Sequence, residues 1–169
     1  TDLIASAFFA HSVSILIQVA EILHMDSSEY RELHASVRKK FRAFFMKDGL
    51  PVLYPKYDGL SVDRRVLGMT QTSLTLILRF GLYEGEEERK RLAACLVEMI
   101  RENGGRMTTG FVGTPYLLHV LSENGYQREA ADLFFQEKNP SWLYAVNHGA
   151  TTVWEHWDGI REDGSFWND

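Results

Sequence analysis

The sequence predicts an all-α fold built from antiparallel helix pairs, on three observations. Apolar residues recur at three- and four-residue spacing along most of the chain. Capping and stop residues punctuate those stretches. The connections between them are mostly short, so successive helices must turn back on one another. Helix starts are unevenly spaced and no fixed-period repeat is visible, which argues against a tetratricopeptide-type array.

Thr1 is a candidate cap, with Asp2 in the first turn where a carboxylate favours the positive end of the dipole. From Leu3 through Ala7, Phe8, Val13, Leu16, Val19 and Leu23 the apolar stripe is broad, and such a helix is expected to pack against several neighbours. Asp26, Ser27 and Ser28 supply the next cap. Tyr30, Leu33, Val37, Phe41, Phe44 and Phe45 then predict a more amphipathic helix, stopped by Asp48-Gly49. Residues 48–69 show no clear period and are expected to be a long connection. Helical pattern resumes at Thr70 and runs through Leu74, Ile77, Leu78 and Phe80 to Gly81. A charged helix from about Glu86 carries Leu92, Cys95, Leu96, Met99 and Ile100 inward and ends at Asn103-Gly104-Gly105, where glycine takes the left-handed conformation cheaply. Thr114-Pro115 reads as a capping hydroxyl followed by proline at the first helical position. That helix closes at Asn124-Gly125. Another runs from about Gln127 to Phe135, and a short one begins at Ser141-Trp142 after Pro140. The tail from His148 to Asp169, dense in Trp, Gly and Asp, predicts turns and short strands.

Composition excludes several classes. With 169 residues, 45% of them hydrophobic, the chain suits a single globular domain that buries roughly 70% of its unfolded surface. One cysteine, Cys95, excludes an internal disulfide framework. A net charge of −5, with basic triplets at 38–40 and 89–91 inside helical patterns, argues against a nucleic-acid partner. The longest apolar run, Val13 to Ala20, is broken by Ser14 and Gln18 and falls short of the roughly 20 residues of a membrane span, so no membrane partner is expected. The charge and the single cysteine fit cytoplasm and periplasm alike. The chain opens on Thr1-Asp2 with no secretory signal pattern, which predicts either a removed start or a piece of a longer protein.

No nucleophile elbow, phosphate loop, dinucleotide fingerprint or His-Glu-x-x-His helix is present. Cys95, in Ala-Ala-Cys-Leu-Val, reads as a small core residue rather than a nucleophile. His148, Glu155 and His156 match no common metal spacing, and neighbours 155 and 156 diverge on any regular element, so neither metal nor cofactor is expected. The segment Trp154-Glu155-His156-Trp157-Asp158-Gly159 places a carboxylate between two indoles, with Trp142 and Tyr144 shortly before. Indole faces stack on the C–H faces of sugar rings, and a carboxylate among them can orient or deprotonate water. Composition alone favours the plainer reading, in which these tryptophans are core and Glu155 makes a surface contact.

Two blocks change that balance. Thr108-Thr109-Gly110-Phe111-Val112-Gly113-Thr114-Pro115-Tyr116-Leu117-Leu118, and Pro140-Ser141-Trp142-Leu143-Tyr144 with Gly149-Ala150-Thr151-Thr152-Val153-Trp154-Glu155-His156-Trp157-Asp158-Gly159, strongly resemble the catalytic domain of bacterial α-L-rhamnosidases. Asp2-Leu3-Ile4-Ala5 and Thr70-Gln71-Thr72 resemble the same family in the same order, so the likeness covers nearly all of the chain outside residues 48–69.

The resemblance implies an (α/α)₆ toroid, of which residues 1–169 are a part. It implies an inverting hydrolase that removes terminal α-L-rhamnose from glycosides or polysaccharides. It assigns Glu155 as general base; Trp154 and Trp157, which flank it, are assigned to the sugar pocket by the chemistry of their indole faces. Three departures accompany it. No counterpart of the family's general acid precedes Thr1, no sugar-contacting histidine follows the tryptophan motif before Asp169, and His156 stands where the family usually has arginine. The first two imply a fragment, inactive by itself, with unpaired apolar helix faces that promote self-association. The third exchanges a permanent cation for a titratable one. Two other functions remain open: a non-catalytic helical module binding carbohydrate or protein on its concave face, and an (α/α)₆ glycosidase for another sugar.

Overall fold

The structure is a computed structural model and describes residues 2–52, 68–161 and 163–167. In order, these form α1 (Asp2–Ile22), α2 (Ser28–Phe45), β1 (Met46–Lys47), β2 (Leu50–Pro51), α3 (Gln71–Arg79), α4 (Gly85–Glu102), α5 (Thr114–Glu123), α6 (Gln127–Phe134) and α7 (Trp142–Asn147).

Helices α1–α2, α3–α4 and α5–α6 pack as hairpins, and α3 also lies against both α1 and α5. One layer therefore holds α1, α3 and α5, and the other holds their partners. A helix covered from three sides must be apolar or internally satisfied over its whole circumference. Helix α3 meets that demand: every residue from Ser73 to Leu78 is buried. The hydroxyls of Ser73 and Thr75 donate to the carbonyls of Gly68 (2.7 Å) and Gln71 (2.7 Å). Around it the core gathers Leu92, Leu96, Leu117, Leu121 and Leu133. At the junction of the three inner helices Phe80 meets Phe8 and Tyr116 edge-on, at 5.2 and 5.3 Å between ring centres, and stacks on His11 at 4.2 Å.

Four expectations require correction. Helix α1 packs on α2 and α3, but Phe9, Ile15, Leu16, Val19 and Ile22 remain exposed, so it is α3 rather than α1 that is enclosed on all sides. Moreover, by length and composition α1 is apolar enough to cross a membrane, which reading by uninterrupted runs overlooked because Ser14 and Gln18 split the run without changing the helix's average. Asp48-Gly49 does not stop α2. The helix ends at Phe45, and Asp48 (φ 53°) with Gly49 (φ 72°) makes the turn of the β1–β2 hairpin, whose strand twist requires two residues at positive φ. The rest of the expected connection, residues 53–67, lies outside the described residues. Thr114 is the first residue of α5 rather than its cap, a place taken by Gly113. Its hydroxyl is engaged instead by the Thr109 hydroxyl at 2.8 Å and the Thr109 carbonyl at 3.2 Å.

Elsewhere the local chemistry agrees with the sequence. Thr70 caps α3 reciprocally with Ser73, at 3.0 Å in each direction. The Asn103-Gly104-Gly105 stop follows α4, with both glycines at positive φ. Cys95 is half-buried against the core, and burial pushes its thiol pKa up, away from the thiolate a nucleophile needs.

Candidate active site

The site is built from α7 outward. Ser141 is fully buried, and its hydroxyl accepts the Tyr144 N–H at 3.0 Å to start α7. One turn later the Tyr144 hydroxyl donates to the Ile160 carbonyl at 2.9 Å. Ile160 pairs with Phe166 in an isolated antiparallel bridge, and the Trp167 N–H donates to the Gly159 carbonyl at 3.1 Å. The cap thus orients a tyrosine that holds the tail loop. We predict that Ser141→Ala costs about 1 kcal/mol, the usual penalty for losing an N-cap hydroxyl. Denaturant unfolding measures it, and an unchanged midpoint would contradict the role given to the cap.

The middle of the loop is held by Trp157. Its indole N–H donates to the Thr109 carbonyl at 3.0 Å, and its ring meets Trp142 edge-on at 5.5 Å. Trp154 covers the backbone at Gly159, where an added Cβ would lie 3.0 Å from the indole; a larger residue there would displace the ring. His156 turns to stack on Trp167 at 3.8 Å, nearly parallel. Between these fixed rings Glu155 is exposed and forms no ion pair among the described residues.

Glu155, Trp154 and Trp157 line one cleft of about 800 Å³, within the roughly 300–1,000 Å³ usual for small-molecule sites. Phe111, Pro115, Leu118 and Trp142 supply much of its remaining wall. The three residues singled out from sequence are therefore brought together, with unequal commitments. Trp157 is bound into the fold through its N–H, whereas Trp154 and Glu155 remain available to a ligand. Phe111, 67% exposed, and His119 also line the cleft and were not singled out. Phe111 stood in the first resembling block, yet nothing local distinguishes an exposed phenylalanine on a loop from any other. His148 is held apart from the cleft, with Nδ1 2.8 Å from the Tyr144 carbonyl. Among the described residues no three metal-ligating side chains gather in one place.

A carboxylate without a cationic partner among the described residues, at the edge of an aromatic cleft open to solvent, can accept a proton from a water molecule while an indole face holds a sugar ring.

Comparison with known proteins identifies the family. The model of the bacterial α-L-rhamnosidase six-hairpin glycosidase domain matches residues 1–167. The α-L-rhamnosidase of Streptomyces avermitilis is 36% identical over 165 residues, covering 98% of this chain and 15% of the relative. That of Formosa agariphila is 37% identical over 167 residues, covering 98% of this chain and 16% of the relative. Among solved structures, the S. avermitilis α-L-rhamnosidase complexed with L-rhamnose superposes with a TM-score of 0.85 at 34% identity, over 98% of this chain and 15% of that one. Native α-L-rhamnosidase from Aspergillus terreus superposes with a TM-score of 0.81 at 32% identity, over 95% of this chain and 17% of that one. The chain therefore spans about one-sixth of the length of the relatives it matches.

Proposed function

Since this chain belongs to the bacterial α-L-rhamnosidase six-hairpin glycosidase family, we propose that it supplies the base-bearing part of an enzyme that hydrolyses terminal α-L-rhamnosides with inversion. The observation that carries the reading is the Glu155 carboxylate, without an ion-pair partner among the described residues, on the wall of the tryptophan-lined cleft. The L-rhamnose bound in the S. avermitilis relative supports the choice of sugar.

In this mechanism Glu155 accepts a proton from water as that water attacks the anomeric carbon. A second carboxyl group, protonated, donates to the departing oxygen from the opposite side, roughly 6.5–9.5 Å away. Trp154 offers a face to the sugar ring. Trp157 holds the loop through Thr109 and borders the pocket. Asp158 also lines the cleft, but it follows Glu155 by three residues on the same loop; we assign the opposing carboxyl to another part of the enzyme, so the 169-residue chain alone is expected to turn over no substrate.

Proton NMR of the first product tests the proposal. An α-L-rhamnosidase carrying this chain should release the β anomer from an aryl α-L-rhamnoside. Initial release of the α anomer would exclude the inverting mechanism, and preferred turnover of another aryl glycoside would change the sugar.

The isolated chain is further proposed to self-associate through the exposed apolar face of α1, where Phe9, Ile15, Leu16, Val19 and Ile22 lie open to water. Light scattering should give a mass above the monomer that rises with concentration; a monomer throughout would remove this proposal.

A further inference from the structure

Gln71 has no part in the cleft, yet it is the most deeply buried uncharged amide side chain in the core, 1% exposed in the first turn of α3. Both ends of its amide are used on one strand of backbone. Nε2 donates to the Arg106 carbonyl at 3.1 Å, and Oε1 accepts the Thr108 N–H at 2.8 Å. An isolated extended segment cannot satisfy its own donors and acceptors. Gln71 therefore substitutes for a neighbouring strand and fixes residues 106–108 in place.

The next residue carries the effect onward. Thr109 is buried, and its carbonyl accepts both the Trp157 indole N–H at 3.0 Å and the Thr114 hydroxyl at 3.2 Å. The Thr109 and Thr114 hydroxyls lie 2.8 Å apart. Gly113 packs so closely here that an added Cβ would lie 3.1 Å from Thr109 and from the Thr72 hydroxyl. The 106–114 loop is thus pinned at both ends, by Gln71 at its entry and Thr114 at its exit. Trp157, two residues beyond Glu155, hangs from its middle.

We infer that Gln71 is a positioning residue for Glu155, acting through Thr108, Thr109 and the Trp157 indole. Nothing else among the described residues bonds the Trp157 N–H, so the height of the Thr109 carbonyl sets where the Trp154–Trp157 turn sits over the cleft. A displacement of about 1 Å at a reacting group costs on the order of 100-fold in rate, so a buried amide remote from substrate can govern turnover. The inference rests on the proposed role of Glu155.

The test combines Gln71→Met, which keeps length and volume but neither hydrogen bond, with Trp157→Phe, which keeps an aromatic ring in place of the larger indole and removes the N–H. In an α-L-rhamnosidase carrying this chain, each substitution should lower kcat on an aryl α-L-rhamnoside by about 10- to 100-fold; KM should be little changed in Gln71→Met, which leaves the cleft lining intact. The double variant should be no slower than Trp157→Phe alone, since both act through one path. In the 169-residue chain, Gln71→Met should move the Trp157 indole N–H resonance upfield as its hydrogen bond to Thr109 weakens. Additive losses in kcat, or an indole resonance that stays in place, would overturn the relay. If Gln71→Met does not fold, Gln71→Glu substitutes for it, since one carboxylate oxygen still accepts from Thr108 while the donation to Arg106 is lost; the same two outcomes decide. If the wild-type protein proves inactive on rhamnosides, the proposed function fails, while the indole resonance still decides whether Gln71 holds Trp157.

Discussion

Glu155→Gln, in an α-L-rhamnosidase carrying this chain, should lower kcat on an aryl α-L-rhamnoside by about 100- to 10,000-fold, the range a general base contributes. The amide is isosteric with the carboxylate and just as exposed, so nothing in the packing changes. It has no basic oxygen to take a proton from water. KM should move little, because the lost interaction exists only as the proton transfers. The thermal midpoint should also stay in place, since Glu155 makes no ion pair among the described residues. A small anion such as azide, supplied to Glu155→Ala, should restore part of the turnover by replacing the activated water as nucleophile. Near-normal hydrolysis by Glu155→Gln would sink the assignment, whatever the fold.

The second large effect concerns stability. Arg42 on α2 reaches Glu88 on α4 with both terminal nitrogens, at 2.9 and 3.2 Å, and also donates to the Leu82 carbonyl at 3.0 Å. The Glu88 carboxylate accepts the Glu84 N–H as well. Glu88 is 8% exposed and Arg42 20% exposed. Removing one partner from such a pair leaves the other charge and a backbone N–H uncompensated where water reaches them poorly. We predict that Glu88→Ala destabilises the chain by about 3 kcal/mol, the lower end for a broken buried pair, because Leu82 and the exposed Glu84 still receive Arg42. Glu87→Ala is the control. Its pairing with Lys90 at 3.4 Å is solvent-exposed on both sides, and its loss should cost less than about 1 kcal/mol. Urea unfolding of the two variants side by side checks the contrast; equal midpoints would show that burial of the α2–α4 tie contributes nothing.

Much of the fold was legible because helix periodicity and cap chemistry are local. Thr70, Ser141 and the Asn103-Gly104-Gly105 stop work within a few residues of themselves, and the structure finds them doing so. Errors arose where a residue's partner was remote in sequence. Thr114 looks like a cap until Thr109 takes its hydroxyl. Asp48-Gly49 serves equally as a helix stop or a hairpin turn, and β2 decides between them. The Trp-Glu-His-Trp segment showed a carboxylate among indoles, but its composition could not show which indole was free. That depended on Trp157 meeting Thr109, 48 residues away.

From the sequence alone came the helices, their pairing and the residue types of the candidate site, because each depends on neighbours within a turn or two of the chain. Tertiary packing alone decided that α3 rather than α1 is enclosed, that Trp157 is bound into the fold while Glu155 is exposed on the cleft, and that Gln71 steadies a loop it does not adjoin. The physical reason is burial: whether a polar group is satisfied or idle depends on which distant backbone is brought within about 3 Å of it, and no local pattern records that distance.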